Sequence, residues 1–275
     1  MSLLGGNSTE AMALDACLEA LRSRPCAVIV DLDGTISPIA AEPELARVLP
    51  GCRAALGRLA AHLDLVGVLS GRRPREARNI VGIDAVDYWG VHGMVRLSGD
   101  TECTVIEAMP FLGVLDSVRT AVESRGLWDG MLVEAKGPSL AIHYRNTASP
   151  SNARSWLLTV LRPLAIEHRL DILEGRMVLE LRPPTLGKGW CLANLVKERG
   201  LRSLAYFGDD RTDAEVFQAM KRWERTGPDR HGVAIAVTNP EVPPDWAVDA
   251  DYSVDGVDAV ERLLGGIAAE FAGSS

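Results

Sequence analysis

The run Cys26-Ala27-Val28-Ile29-Val30-Asp31-Leu32-Asp33-Gly34-Thr35 decides the fold class of this chain. Its first five residues are continuously apolar, the pattern of a strand covered on both faces rather than one with a wet side. It ends in two carboxylates at i and i+2, which leave a strand pointing the same way, and in a glycine that permits a sharp turn. Strands covered on both faces belong to parallel sheets flanked by helices, where ligands sit beyond the carboxyl ends. The stretch therefore predicts a parallel α/β core with a pocket at Asp31 and Asp33.

The same pattern recurs outward from it. Apolar runs at 63–69, 203–207 and 233–237 read as further buried strands, with shorter ones at 85–91 and 95–97. Helical spacing covers 10–22, with Ser8 or Thr9 as its cap, then 44–62, 73–81, 189–199 and 213–220. Between about Met109 and Thr185 the order changes. A helix at 111–125 precedes a hairpin, 131–135 and 139–144, turned by Lys136-Gly137-Pro138; a helix at 152–168 precedes another, 170–174 and 177–181. The expected architecture is a doubly wound, mostly parallel α/β sheet formed by 1–108 and 186–275, interrupted by an inserted α+β domain at 109–185.

Composition narrows the function class. The 275 residues are 47% hydrophobic and 24% charged, as in a soluble globular protein, and carry a net charge of −8. That balance argues against nucleic acid or an anionic membrane as partner. The five cysteines are scattered, with no CxxC or Cys/His cluster, so neither a zinc site nor a disulfide framework is expected. No apolar run reaches the roughly 20 residues of a membrane helix, and the first residues lack a secretory pattern. A monomeric cytoplasmic protein is the expectation.

Each predicted strand end carries its own chemistry. Asp31 and Asp33 repel unless a cation lies beside them, and a hard, oxygen-liganded ion suits them; the competing account is a solvated turn with Asp caps. An EF-hand is excluded, because Ile36 stands where the loop requires glycine and a strand precedes Asp31. Ser70-Gly71-Arg72 is an anion site or a helix cap, and Lys188, between Gly187 and Gly189, is a phosphate partner or a solvated turn. In Gly208-Asp209-Asp210-Arg211-Thr212-Asp213, a capping box from Thr212 to Glu215 would account for Asp213 at a helix start, leaving Asp209 and Asp210 for a metal.

In the order DxD, Ser, Lys, GDDxxD, these elements resemble the haloacid-dehalogenase-like phosphatases over nearly the whole chain. Within the insert, Val133-Glu134-Ala135-Lys136-Gly137-Pro138-Ser139-Leu140-Ala141-Ile142-His143-Tyr144-Arg145 and Glu180-Leu181-Arg182-Pro183 look like cap signatures of trehalose-6-phosphate phosphatases, as does Gly90-Val91-His92-Gly93. One position departs: Val95 stands where that family carries an acidic residue. The resemblance implies an Mg²⁺-dependent phosphatase with a Rossmann-like core. Asp31 would be the nucleophile, Asp33 the acid and base, and Ser70 and Lys188 the remaining catalytic groups. Thr35, Ser70, Gly71 and Lys188 would hold phosphate, and Arg72, His92, Glu134, Lys136, Glu180 and Arg182 the sugar. Asp31, Asp33, Asp209 and Asp210 would hold the metal, with Asp213 as a nearby alternative to Asp210. Other expectations are a sucrose-phosphate or glycosyl-phosphoglycerate phosphatase, or a non-catalytic sugar-phosphate-binding subunit. The last is disfavoured because Asp31, Asp33, Lys188 and Asp209 are all present.

Overall fold

The structure is a computed structural model and describes residues 5–40, 43–238 and 246–273. In chain order the elements are α1 (Gly5–Ala20), β1 (Cys26–Val30), α2 (Pro50–His62), β2 (Leu65–Leu69), α3 (Pro74–Val81), β3 (Asp87–Gly90), β4 (Val95–Ser98) and β5 (Thr101–Thr104). There follow α4 (Leu112–Glu123), β6 (Leu132–Ala135), β7 (Leu140–His143), α5 (Pro150–His168), β8 (Asp171–Gly175) and β9 (Val178–Arg182). The chain ends with α6 (Lys188–Glu198), β10 (Ser203–Gly208), α7 (Arg211–Glu224), β11 (His231–Thr238), β12 (Tyr252–Asp255) and α8 (Gly256–Gly273).

Contacts divide the chain into two compact units. The first comprises Met1–Gly93, Leu97–Thr101 and Gly187–Ser275; the second comprises Met94–Arg96 and Glu102–Leu186.

The larger sheet runs β12-β11-β10-β1-β2-β3-β4-β5, and every pairing from β12 to β3 is parallel. It is the mixed α/β, mostly parallel sheet expected. β1 shows why its sequence is apolar throughout. Cys26, Val28 and Val30 enter a cluster with residues of α1, α2 and α8, while Ala27 and Ile29 enter another with residues of α6 and α7. Full burial of each large aliphatic side chain there is worth about 1.5–3 kcal/mol. The chain leaves β1 toward β2 on one side and returns through β10 on the other, so the strand order reverses at β1. Such a switch point leaves a crevice beyond the carboxyl ends.

The second unit is a four-stranded antiparallel sheet, β6-β7-β9-β8. Leu140, Ile142, Leu179 and Leu181 turn one face into a core completed by Leu115 and Val118 of α4 and by Leu157 and Leu161 of α5. By alternation Ala141, His143, Glu180 and Arg182 occupy the other face.

Several boundaries differ from the sequence reading. The helix expected at 44–62 is a 3₁₀ turn, Pro43–Leu45, then a loop, then α2 from Pro50. Pro50 fits the first helical turn and holds Leu49 extended, so it starts the helix rather than lying inside one. Ser8 and Thr9 lie inside α1, which already includes Gly5, so neither is its cap. β5, β12 and α8 are additions to the elements expected. Among the described residues no helix is long and apolar enough to cross a membrane.

Candidate active site

The carboxyl ends of β1, β2, β3 and β10 gather most of the expected residues within the first unit. Val30 lies opposite Phe207 of β10 and Val68 of β2, so Asp31, Ser70 and Asp209 leave neighbouring strands at similar heights. The Asp31 N–H donates to the Phe207 carbonyl at 2.8 Å, which carries the ladder one residue past β1. Gly34 then turns the chain with φ +87° and donates to the Ser37 carbonyl at 2.7 Å. A Cβ there would stand 1.9 Å from Asp209 Oδ2, so only glycine leaves room for that carboxylate.

Lys188 is buried and bridges two carboxylates, with Nζ 2.8 Å from Asp31 Oδ1 and 2.8 Å from Asp213 Oδ1. The solvated-turn account of Lys188 therefore fails. Burial opposes the charge on Lys188, but Asp213 and Asp31 outweigh it and keep the ammonium protonated. Burial is also the largest influence on Asp31, pushing its carboxyl up to about 8; Lys188 pulls it back, while Asp213 and Asp210 push it further.

Asp213 is saturated. Oδ1 accepts from Lys188 and from the Tyr206 hydroxyl at 2.6 Å, and Oδ2 accepts the backbone N–H groups of Asp209 at 3.0 Å and Asp210 at 3.1 Å. Asp210, not Thr212, caps α7: its Oδ1 accepts from the Thr212 N–H at 2.8 Å and hydroxyl at 2.6 Å, with Asp213 completing the capping box. The box expected from sequence stands two residues too late, because Thr and Asp are both good caps and only the end of β10 fixes the register.

Carboxylate oxygens of Asp31, Asp209 and Asp213 lie within 4.8 Å of one another. A hard divalent cation such as Mg²⁺ fits this donor set. Asp209, whose carboxylate lies over Gly34, and Asp31 are the ligands the geometry favours, since all four bonds to Asp213 go to the protein's own donors.

Ser70 and Arg72 flank the opposite side of Asp31. Ser70 Oγ is buried and accepts from the Arg72 N–H at 3.2 Å. It caps no helix, for α3 begins at Pro74 after Arg73. Arg72 donates from Nε to Asp33 Oδ2 at 2.6 Å and from Nη2 to Asp33 Oδ1 at 2.9 Å. Its Nη1 donates to Glu76 one turn along. Val91 and His92 both have positive φ, 50° and 57°, an uncommon and costly state for a β-branched residue. The turn brings the His92 ring within 2.8 Å of where a Gly71 Cβ would be. Thr35 is fully buried, and its hydroxyl meets no protein partner among the described residues.

The remaining expected residues lie on or beside the face of the second unit's sheet that is turned away from its apolar core. Glu134 and Glu180 both pair in register with Ala141, whose small side chain separates them. Lys136 Nζ lies 3.7 Å from Glu134 Oε2 and 3.8 Å from Glu180 Oε2. His143 Nε2 is 3.0 Å from Glu134 Oε2. Burial pushes the Glu134 carboxyl up, but His143 and Lys136 outweigh it and hold it below the usual carboxylate range. Arg182 is two residues beyond Glu180 on the same face of β9.

Three residues of these clusters escape the reading of the sequence. Tyr206 lies inside an apolar run, where a buried hydroxyl needing a partner is the available signal. Glu76 stands at i+4 from Arg72, a legible helix pair. His143 shares the face of Glu134 by strand alternation.

The chain is similar to known proteins over most of its length. The trehalose-phosphate phosphatase of Mycobacterium avium is 33% identical over 76% of this chain, and trehalose-phosphate phosphatase B of Arabidopsis thaliana is 26% identical over 91%. The chain spans 55% of the length of the first and 68% of the second. The C-terminal domain of Candida albicans trehalose-6-phosphate phosphatase superposes with a TM-score of 0.74 at 20% identity, covering 94% of this chain and 96% of that one. The C-terminal domain of the Candida albicans trehalose synthase regulatory protein superposes at 0.66 with 14% identity, covering 94% and 98%. These likenesses show the haloacid-dehalogenase-like fold. The family model for trehalose-phosphatase matches residues 29–258, from the middle of β1 into α8, and the chain belongs to that family.

Proposed function

We propose that this chain is a phosphatase that hydrolyses trehalose 6-phosphate to trehalose and phosphate, with Asp31 as the nucleophile. The observation that carries the reading is the pairing of Asp31 with Lys188 at the switch point of the sheet, two residues before a second carboxylate. The Lys188 ammonium opposes the effect of burial on Asp31 and orients its carboxyl, favouring the ionised form that attack on phosphorus requires.

In the first step an Asp31 oxygen bonds to phosphorus as the bond from phosphorus to the sugar oxygen breaks. Asp33, protonated, gives its proton to the departing sugar oxygen. In the second step Asp33, now a carboxylate, takes a proton from water, whose oxygen bonds to phosphorus and releases Asp31 and phosphate. Lys188 and Ser70 offset charge on the transferring oxygens, and the buried Thr35 hydroxyl and Gly71 N–H are further donors toward phosphate. Asp31 and Asp209, with the Asp33 carbonyl and with Asp210 beside them, would hold Mg²⁺, which when bound supplies Lewis-acid polarisation of phosphoryl oxygens.

The second unit, whose main segment is Glu102–Leu186, takes the place of the insert expected at 109–185 and is the cap in this reading. Its Glu134, Lys136, Glu180 and Arg182 carry donors and acceptors suited to a polyol, and His92 of the core is a further candidate for the sugar. Charge supports the same reading. At −8 overall the chain is a poor partner for nucleic acid, yet Lys188 and a bound cation would make the catalytic end attractive to a phosphate ester. A monomeric cytoplasmic enzyme completes the proposal.

Phosphate release from a panel of sugar phosphates, with and without Mg²⁺, tests it on wild type and Asp31→Asn. Trehalose 6-phosphate is expected to be the best substrate, with Mg²⁺ required and the variant reduced by at least ~10³-fold. Good turnover of sucrose phosphate or a glycosyl-phosphoglycerate without trehalose 6-phosphate would overturn the substrate. Wild-type rates in Asp31→Asn would overturn the mechanism. Binding without turnover would place the chain with the non-catalytic subunits.

A further inference from the structure

The fork from Arg72 to Asp33 serves neither phosphate nor sugar directly, and three observations show how firmly it is built. Both Asp33 oxygens accept from one guanidinium, at 2.6 and 2.9 Å, the planar two-point contact that fixes a carboxylate's orientation as well as its position. The third arm of the guanidinium is held by Glu76, one helical turn along α3. The Arg72 backbone is fixed too: its N–H donates to Ser70 Oγ at 3.2 Å, and its carbonyl accepts from the Val91 N–H at 2.8 Å. That last approach needs Gly90, where a Cβ would stand 2.4 Å from the Arg72 oxygen. The Arg72 side chain is 13% exposed, against 36% for Asp33, so the guanidinium backs the carboxyl and leaves Asp33 the more open of the two.

We infer that Arg72 is a positioning residue for Asp33, and that Glu76 in turn positions Arg72. The guanidinium sets the plane of the Asp33 carboxyl so that an oxygen faces the sugar oxygen in the first step and water in the second. The inference rests on Asp33 being the proton-transfer group, and it departs from the expectation that Arg72 grips substrate. An arginine that grips substrate spends its fork on the ligand; here the fork is spent on Asp33 and the third arm on Glu76. A lysine keeps the charge but cannot reach both oxygens in one plane.

The test compares wild type, Arg72→Lys, Glu76→Gln and Asp33→Asn on trehalose 6-phosphate and on p-nitrophenyl phosphate, whose leaving group departs without a proton. For Arg72→Lys, kcat on trehalose 6-phosphate is expected to fall ~100-fold with KM within ~3-fold, as for a misplaced catalytic group. The first-turnover burst of p-nitrophenol stays within ~3-fold of wild type, because that step needs no acid, while the steady-state rate falls. Glu76→Gln keeps the fork but loosens it, and follows the same pattern at ~5- to 10-fold. It supplies the readout if circular dichroism shows Arg72→Lys to be unfolded.

A raised KM with unchanged kcat in Arg72→Lys would overturn the inference in favour of substrate binding. An equal loss on both esters, burst included, would overturn it in favour of contact with the phosphoryl group. Asp33→Asn separates the underlying reading: wild-type rates on trehalose 6-phosphate in that variant would remove Asp33 from proton transfer altogether. If Asp33→Asn loses the sugar ester and keeps the burst while Arg72→Lys and Glu76→Gln match wild type, the reading stands and the positioning role alone falls.

Discussion

Asp209 and Asp213 come from the same six-residue run and sit in different surroundings. Asp213 is fully buried and receives four donors, so its charge is compensated by the protein. Asp209 is buried beside Asp31, against the backbone of Gly34. Replacing Asp213 by Asn turns an amide N–H₂ toward one of two pairs of donors and leaves Lys188 with one fewer anion. Loss of one member of a buried pair costs about 3–5 kcal/mol, which lowers Tm by roughly 10 °C in a domain of this size. Asp209→Asn removes one of several crowded carboxylates, so metal-free Tm is expected to hold or rise. The rise in Tm that Mg²⁺ gives the wild type through binding to the folded state should disappear in this variant. Thermal melts in EDTA and in Mg²⁺ separate the two residues. Asp213→Asn keeping full stability while losing the Mg²⁺ shift would exchange their roles.

At the scale of elements, the parts legible in the sequence are those whose signal is local. β1 declares itself because both of its faces are covered, and apolar residues at consecutive positions have no other economical account in five residues. The acidic strand ends are legible because crowded carboxylates are costly without a partner. The capping register of α7 and the start of α2 are not, since each depends on where a neighbouring strand or loop stops. α8 is legible yet missing from the expected elements: Ala259, Val260, Leu263, Leu264, Ile267 and Ala268 mark its buried face at helical spacing. Nothing local reveals that α6 and α7 meet closely at Gly189, where a Cβ would stand 2.4 Å from the Glu215 carbonyl oxygen. Lys188 is the first residue of α6 and Asp213 belongs to the first turn of α7, so this approach sets their separation. Gly189→Ala is expected to cost about 1–3 kcal/mol in urea unfolding and to lower kcat by displacing Lys188. Gly57 of α2, where an added Cβ would meet nothing within 4 Å, is the control. There alanine is expected to stabilise by about 0.5–1 kcal/mol without touching kcat. Equal effects at both glycines would mean that helix propensity, not the approach of α6 to α7, governs position 189.

For the molecule as a whole, the two apolar layers on the faces of the parallel sheet carry their own chemical reporters. Cys17 of α1, Cys26 of β1 and Cys52 of α2 belong to one layer, Cys191 of α6 to the other, and Cys103 of β5 is exposed. Burial pushes the thiols of Cys17, Cys52 and Cys191 up to about 12, and that of Cys26 above its ordinary value. At pH 8 a thiol with pKa near 12 is thiolate about one part in 10⁴, and the thiolate is the reactive form. A disulfide reagent at pH 8 should therefore modify Cys103 quickly and the four core thiols only through opening of the fold. Both layers pack on the same parallel strands, so neither can open far without exposing the other side of β1. Peptide mapping of labelled protein across a urea series is thus expected to show Cys17, Cys26, Cys52 and Cys191 losing protection at one midpoint, the global one. Earlier labelling of Cys191 alone would show α6, with Lys188 at its start, opening as a separate unit. In that event the position of Lys188 beside Asp31 would depend on a locally unstable helix, and activity would fall at lower urea than the unfolding of the sheet.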